Sequence, residues 1–149
     1  MKSGPSTFGF LLTDAARLLR ARVDRALEEA GLGLTPGEAR ALVFVSHFGP
    51  IRQSQLAERM SVEPMTLVGF IDRLEGRGLV VREADPEDRR AKTVRLTPAA
   101  QPLVEEIKVV LTRTREEATR NFTPEEIETM RRLLDRMRSN LSIRSGEEV

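Results

Sequence analysis

Two short stretches of this chain hold the side chains best suited to chemistry, and in both the chemistry is recognition. From Gln53 to Asp72 the apolar residues Leu56, Met60, Val62, Leu67 and Phe70 fall where two short crossed helices must bury side chains, with Ala57 at their close contact and the small Ser61 in the turn. That spacing predicts a helix-turn-helix, whose second helix offers its N-terminal residues to the major groove. Pro64 suits the first turn of that helix because its fixed φ favours a helix start. Glu63, Pro64, Met65, Thr66 and Gly69 then face away from the core, and Ser54 and Arg73 join them as candidate DNA contacts. Met65 can meet a thymine methyl, and Thr66 can hydrogen-bond a base edge or a phosphate. The second stretch is Asp88 to Thr97, where Arg89, Arg90, Lys92 and Arg95 stand against Asp88 for a local charge of +3. Arginine suits a narrow minor groove with its enhanced negative potential. Asp88 is spaced to hold a nearby guanidinium in a bidentate pair.

Other chemistry is excluded by what is missing. With no Cys and one His there is no thiol nucleophile, disulfide, thiolate zinc site or multi-histidine metal site, and no cofactor is expected. No pair of carboxylates falls in a recognisable cleft motif, so the sequence does not read as an enzyme. Six Phe without Tyr or Trp do not make a platform for stacking single-stranded bases. The formal charge of +1, from 24 cations and 23 acids, shows that any nucleic-acid surface must be local. No run approaches the roughly 18 apolar residues of a membrane span, and the N-terminus lacks a signal-peptide core, so a cytoplasmic protein without a membrane partner is expected.

The elements that must position these residues are mostly helical. Leu12, Ala15, Leu19, Val23, Ala26, Leu27 and Ala30 recur at the spacing of one helix face, predicting a helix over about 8–30. Thr35-Pro36-Gly37-Glu38 reads as a Thr cap, a first-turn Pro and a Glu closing a capping box, and that helix should stop before Gly49-Pro50. Thr97-Pro98 and Thr123-Pro124-Glu125-Glu126 repeat the device. Between Gly78 and Thr97 the period changes: Leu79 to Glu83 and Lys92 to Leu96 are β-branched and partly alternating, and the polar Ala84 to Ala91 between them predicts a hairpin with a long charged tip. The fold class is therefore mainly α with one β-hairpin, a single domain of 149 residues, with Ser145 to Val149 as a frayed tail. A packed helix pair or a solvated hairpin tip alone would carry no function, but a helix-turn-helix followed directly by this hairpin is a winged helix.

The chain resembles the multiple antibiotic resistance regulator (MarR) family, and within it the SlyA-like branch. The likeness is carried by Gln53-Ser54-Gln55-Leu56-Ala57, Val62-Glu63-Pro64-Met65-Thr66-Leu67-Val68, Ile71-Asp72-Arg73-Leu74-Glu75-Gly76-Arg77-Gly78-Leu79-Val80, Asp85-Pro86-Glu87-Asp88-Arg89-Arg90-Ala91-Lys92 and Leu96-Thr97. The resemblance implies a homodimeric winged helix-turn-helix transcription factor, a repressor in many members, that binds pseudopalindromic double-stranded DNA. It implies a recognition helix at about 63–76, a wing at 84–91 with Arg89 or Arg90 in the minor groove, and relief by a small phenolic or other anionic ligand. Two departures stand out: family members commonly carry a basic residue where this chain has Gly69, and many have Gly where it has Ala100.

After Thr97, Leu103, Val104, Ile107, Val110, Leu111 and Ala118 predict a long helix to about Arg120, and Ile127, Met130, Leu134, Met137 and Leu141 form a coiled-coil-like seam on the last one. That seam is either intramolecular core or, together with the first helix, a dimer interface. The expected organisation is a winged lobe over 35–97 and a helical dimerisation lobe from both termini, 6–33 and 98–144. Arg17, Arg20, Phe44, His47 and Phe48 are the candidates for an effector crevice between the lobes, the position that the resemblance implies; a lone His at a helix end, as His47 is, is more often a hydrogen-bonded or partly exposed structural group, although its titration range permits switching. The alternatives are a nonspecific architectural DNA binder and a winged-helix protein-interaction module.

Overall fold

Three of the six described α-helices start directly after a threonine. A computed structural model of the protein describes residues 7–145. Of the expected tail only Ser145 lies inside this range, at the end of the last helix; residue 6, where the first lobe was expected to begin, lies outside it. The order is α1 (Phe8–Glu29), α2 (Pro36–Phe48), β1 (Ile51–Arg52), α3 (Gln53–Met60), α4 (Pro64–Gly76), β2 (Val80–Ala84), β3 (Lys92–Leu96), a 3₁₀ turn (Pro98–Ala100), α5 (Gln101–Ala118) and α6 (Pro124–Ser145). The capping boxes expected at Thr35 and Thr123 both form: each threonine hydroxyl accepts the backbone N–H of Glu38 or Glu126, and each Glu accepts the threonine N–H in return. A threonine cap of this kind is worth about 0.5–2 kcal/mol.

Thr97 behaves differently from its expected cap role. Its hydroxyl donates to the Gly78 carbonyl at 2.6 Å and its N–H to the Leu79 carbonyl at 3.0 Å, so it laces the end of the hairpin to its beginning. The chain then passes through the 3₁₀ turn, in which no side chain caps, and α5 begins at Gln101. The hairpin strands pair antiparallel from Val80–Leu96 to Ala84–Lys92, and a third strand that the sequence pattern did not announce, β1, pairs Ile51 with Val94 and Arg52 with Thr93. The sheet order is therefore β1-β3-β2. Two residues are too few for alternation to register, which is why this strand is invisible to a periodicity argument.

The chain divides into two compact units, Met1–Thr114 and Arg115–Val149. In the first, the fully buried Leu27, Leu42, Val45, Leu56, Met60, Leu67, Ile71, Leu74, Val80, Val94, Val104 and Ile107 form one core drawn from α1 to α5 and the sheet. Losing one of these large side chains would cost about 2–5 kcal/mol. Only the last part of the expected α1 stripe joins that core: Leu27 is buried and Val23 half-buried, while Leu12, Leu18, Leu19, Phe8 and Phe10 are exposed. In the second unit the seam residues Ile127, Met130, Leu134 and Leu141 of α6 are likewise exposed, with Leu133 beside them.

Candidate nucleic-acid interface

The helix-turn-helix forms in the expected register. Leu56, Ala57, Met60 and Leu67 are buried, with Val62 and Phe70 half-buried against the same core. Ser61 takes the left-handed conformation, φ 54° and ψ 44°, that turns α3 into α4. A non-glycine residue pays strain there, and a short polar side chain tolerates it better than a branched one. Pro64 is the first residue of α4, as predicted, and Glu63 stands at the N-cap position without a side-chain hydrogen bond. Glu63, Pro64, Met65 and Thr66 are all exposed, Met65 at 79%, and Ser54 is exposed on α3. With 3.6 residues per turn, Met65, Gly69 and Arg73 lie along one exposed face of α4, opposite Leu67, Ile71 and Leu74.

That face is tied to α2 at its C-terminal end. Arg73 Nε donates to Glu38 Oε1 at 2.6 Å, while the other Glu38 oxygen serves the capping box of α2. One buried carboxylate thus caps one helix and grips a side chain of the next. Alongside, Gly37 lets the Phe70 ring sit directly on the α2 backbone; a Cβ at Gly37 would overlap that ring. The Arg73 guanidinium carbon stands 5.8 Å from the centre of the same ring.

In the wing, charges are sorted by position. Arg82 reaches Asp72 at 2.5 Å and Glu75 at 2.9 Å, fastening β2 to α4. Arg95 pairs across the strands with Glu83 at 2.8 Å. Arg52 on β1 donates to Asp85 at 2.6 Å, and Asp85 also accepts the N–H groups of Glu87 and Asp88, so a buried carboxylate shapes the start of the tip. The Arg52 guanidinium and these amides hold the Asp85 carboxyl below the ordinary carboxylate range, and Arg82 does the same to Glu75. Asp88 does not make the bidentate guanidinium pair expected of it: its Oδ1 accepts the Arg90 backbone N–H at 3.0 Å, because the tight turn brings that amide closer than any side chain. The arginine-holding role belongs to Asp85. Arg89, Arg90 and Lys92 are exposed, and neither arginine side chain has an ion-pair partner among the described residues. No group of three or more His, Asp or Glu able to hold a metal occurs among the described residues.

A helix-turn-helix with this sheet and wing is found in proteins already known. The MarR family model matches residues 34–92. A crystal structure of a probable transcriptional regulator from Pseudomonas aeruginosa is 33% identical, with 89% of this chain and 97% of that one covered and a TM-score of 0.66. The chain belongs to the MarR family. A crystal structure of MarR itself is 27% identical over 98% of this chain and 97% of that one, with a TM-score of 0.78. CouR from Rhodococcus jostii RHA1, solved bound to p-coumaroyl-CoA, is 25% identical over 91% and 95%, with a TM-score of 0.73. The protein is thus a MarR-family transcriptional regulator of the winged helix-turn-helix type.

In this MarR-family chain the five residues expected to line an effector crevice fall into separate groups. Phe44, His47 and Phe48 cluster on α2, with His47 edge-on to Phe48 at 4.5 Å and the Phe44 ring 5.9 Å from the Phe48 ring. Arg59 of α3 lies 4.2 Å over the Phe48 ring, a cation–π contact that no local sequence pattern announces. Arg17 turns to Asp14 on its own helix at 2.8 Å. Arg20 stands near Arg40, whose guanidinium is pulled below the usual arginine value by burial first and by Arg20 second, with Asp24 opposing from 3.1 Å. Arg40 was not among the sequence candidates, since one arginine within the apolar α2 carries no spacing signal.

Proposed function

We propose that the protein acts as a homodimeric repressor that binds a pseudopalindromic duplex, with residues 63–76 in successive major grooves and wings 84–91 in the flanking minor grooves. The observation that carries this reading is the sorting of charge in the winged lobe. Arg52, Arg82 and Arg95 are neutralised by Asp85, Asp72, Glu75 and Glu83, while Arg89 and Arg90 at the tip are left for another partner. Phosphates and a narrow minor groove supply that partner. Ser54, Glu63, Pro64, Met65, Thr66, Gly69 and Arg73 face the groove, and Asp88 and Lys92 support the wing.

The lobe over 35–97 carries recognition, and 6–33 with 98–144 carries dimerisation through the exposed apolar faces of α1 and α6. Two recognition helices are then set about one DNA turn, roughly 34 Å, apart. The role is regulatory and not catalytic. The proposed site of action is the cytoplasm, where the DNA of such a regulator lies; no described helix is long and apolar enough to cross a membrane. The similarity to CouR supports a small phenolic or anionic effector that shifts the spacing of the winged lobes, with Arg17, Arg20, Phe44, His47 and Phe48 as its contacts.

Selection from random duplex DNA with the purified full chain tests the reading. A palindrome should be enriched and bound at least about 10³-fold more tightly than competitor DNA. Enrichment of no sequence would favour an architectural binder, and indifference of DNA affinity to Arg89→Ala and Arg90→Ala would favour a protein-interaction module. Each of these substitutions should lower the slope of log affinity against log salt by about one.

A further inference from the structure

The exposed face of α4 has a gap in its middle and a charge lying in the gap. A Cβ built on Gly69 would stand 3.6 Å from Arg73 Nη1 and 3.9 Å from Nη2, so the guanidinium of the residue one turn on folds back over the glycine instead of extending into solvent. Glu38 fixes it there by taking Nε at 2.6 Å, which leaves the two terminal nitrogens directed along the face shared with Met65. Arg73 remains 56% exposed while Glu38 is buried, so the pair presents donors outward from a rigid base. Glu38 in turn is held by the capping box of α2, and Phe70 packed on Gly37 locks that helix end to α4. A guanidinium with one nitrogen anchored and two free in a plane suits bidentate donation to the O6 and N7 acceptors of a guanine.

We propose that Arg73 is the side chain that reads the base pair facing Gly69, that Glu38 is its positioning residue, and that the lack of any side chain longer than a methyl at position 69 is what leaves room for it. This rests on the reading that α4 enters the major groove. The geometry provides a specificity-determining arginine from the C-terminal half of the helix, reaching one turn toward its N-terminus.

The test uses the duplex enriched by the full chain from a random pool, together with every single-base-pair variant of one half-site in both half-sites symmetrically. Affinities are measured for the wild type, Arg73→Lys, Glu38→Gln and Gly69→Leu. Gln at position 38 can still close the capping box but removes the charge that holds Nε. A guanine should be preferred about tenfold or more at one position of each half-site in the wild type. All three variants should flatten preference at that same position while leaving the profile elsewhere. Arg73→Lys that changes affinity for all duplexes alike, with the base preference kept and the salt slope unchanged because the charge is retained, would make Arg73 a phosphate contact and overturn the proposal. So would Gly69→Leu or Glu38→Gln that keeps the wild-type preference. Failure of the wild type to enrich any palindrome overturns the reading beneath it, and is distinguishable because it occurs before any variant is compared.

Discussion

At the scale of the residue, two glycines in contact with the same α2–α4 junction should respond in opposite directions to one methyl group. Gly69 lies in the interior of α4, where glycine costs about 0.5–1 kcal/mol against alanine, and its Cβ would meet Arg73 only at ordinary contact distance. Gly69→Ala should therefore raise the unfolding free energy by that amount. Gly37 lies in the first turn of α2 beneath the Phe70 ring, with Cε1 2.7 Å from where its Cβ would be. Neither α2 nor the half-buried ring can yield without disturbing the core, so Gly37→Ala should destabilise by about 1–3 kcal/mol. Urea unfolding of the two variants in parallel checks both signs. A stabilised Gly37→Ala would mean that the helix–helix approach is looser than the ring contact indicates.

At the scale of the element, the wing depends on a carboxylate that must stay ionised. Asp85 has its pKa depressed, first by the hydrogen bond from Arg52 and then by the Glu87 amide, so its contribution is fully present above the ordinary carboxylate value of about 4. It is lost as pH falls through the lower folded value. Thermal midpoints of wild type and Asp85→Asn should thus differ most near neutrality and converge below about pH 4; a gap that persists in acid would assign the loss to shape and not charge. Neither this latch nor the role of Thr97 was legible in the sequence, although the elements around them were. A threonine, a proline and a glutamate at Thr35 to Glu38 act within one helical turn, so their spacing is their meaning. Arg52 and Asp85 are 33 residues apart and meet only because a two-residue strand, paired to the far side of β3, brings Arg52 to the end of the sheet where the wing tip begins. The same holds for Arg73 and Glu38, 35 residues apart. Asp88 departs from the guanidinium pair that its residue type predicts because the turn puts the Arg90 amide nearer.

At the scale of the whole molecule, apolar surface is exposed where a lone chain gains nothing from it. Phe8, Phe10, Leu11 and Leu18 on α1 are each more than half exposed, as is Leu141 on α6. Monomers seldom leave large contiguous apolar patches in water, and buried at about 25 cal/mol per Å² such faces drive association. A second copy of the chain covers them in the proposed dimer. Phe10, 75% exposed, and Leu141, 62% exposed, are the most telling positions to alter, because a charge there costs the isolated fold little and the interface much. Phe10→Glu and Leu141→Glu should keep the melting transition of the winged lobe and shift sedimentation from dimer toward monomer. The two half-sites of a palindrome are linked only through that dimer, and linkage commonly multiplies affinity by about 10²–10⁴. DNA affinity should therefore fall by about 10²-fold or more at protein concentrations where the variants are monomeric, and should recover as concentration rises. Full-strength binding by a monomeric variant would instead place recognition in a single winged lobe and remove the physical reason for a palindromic site.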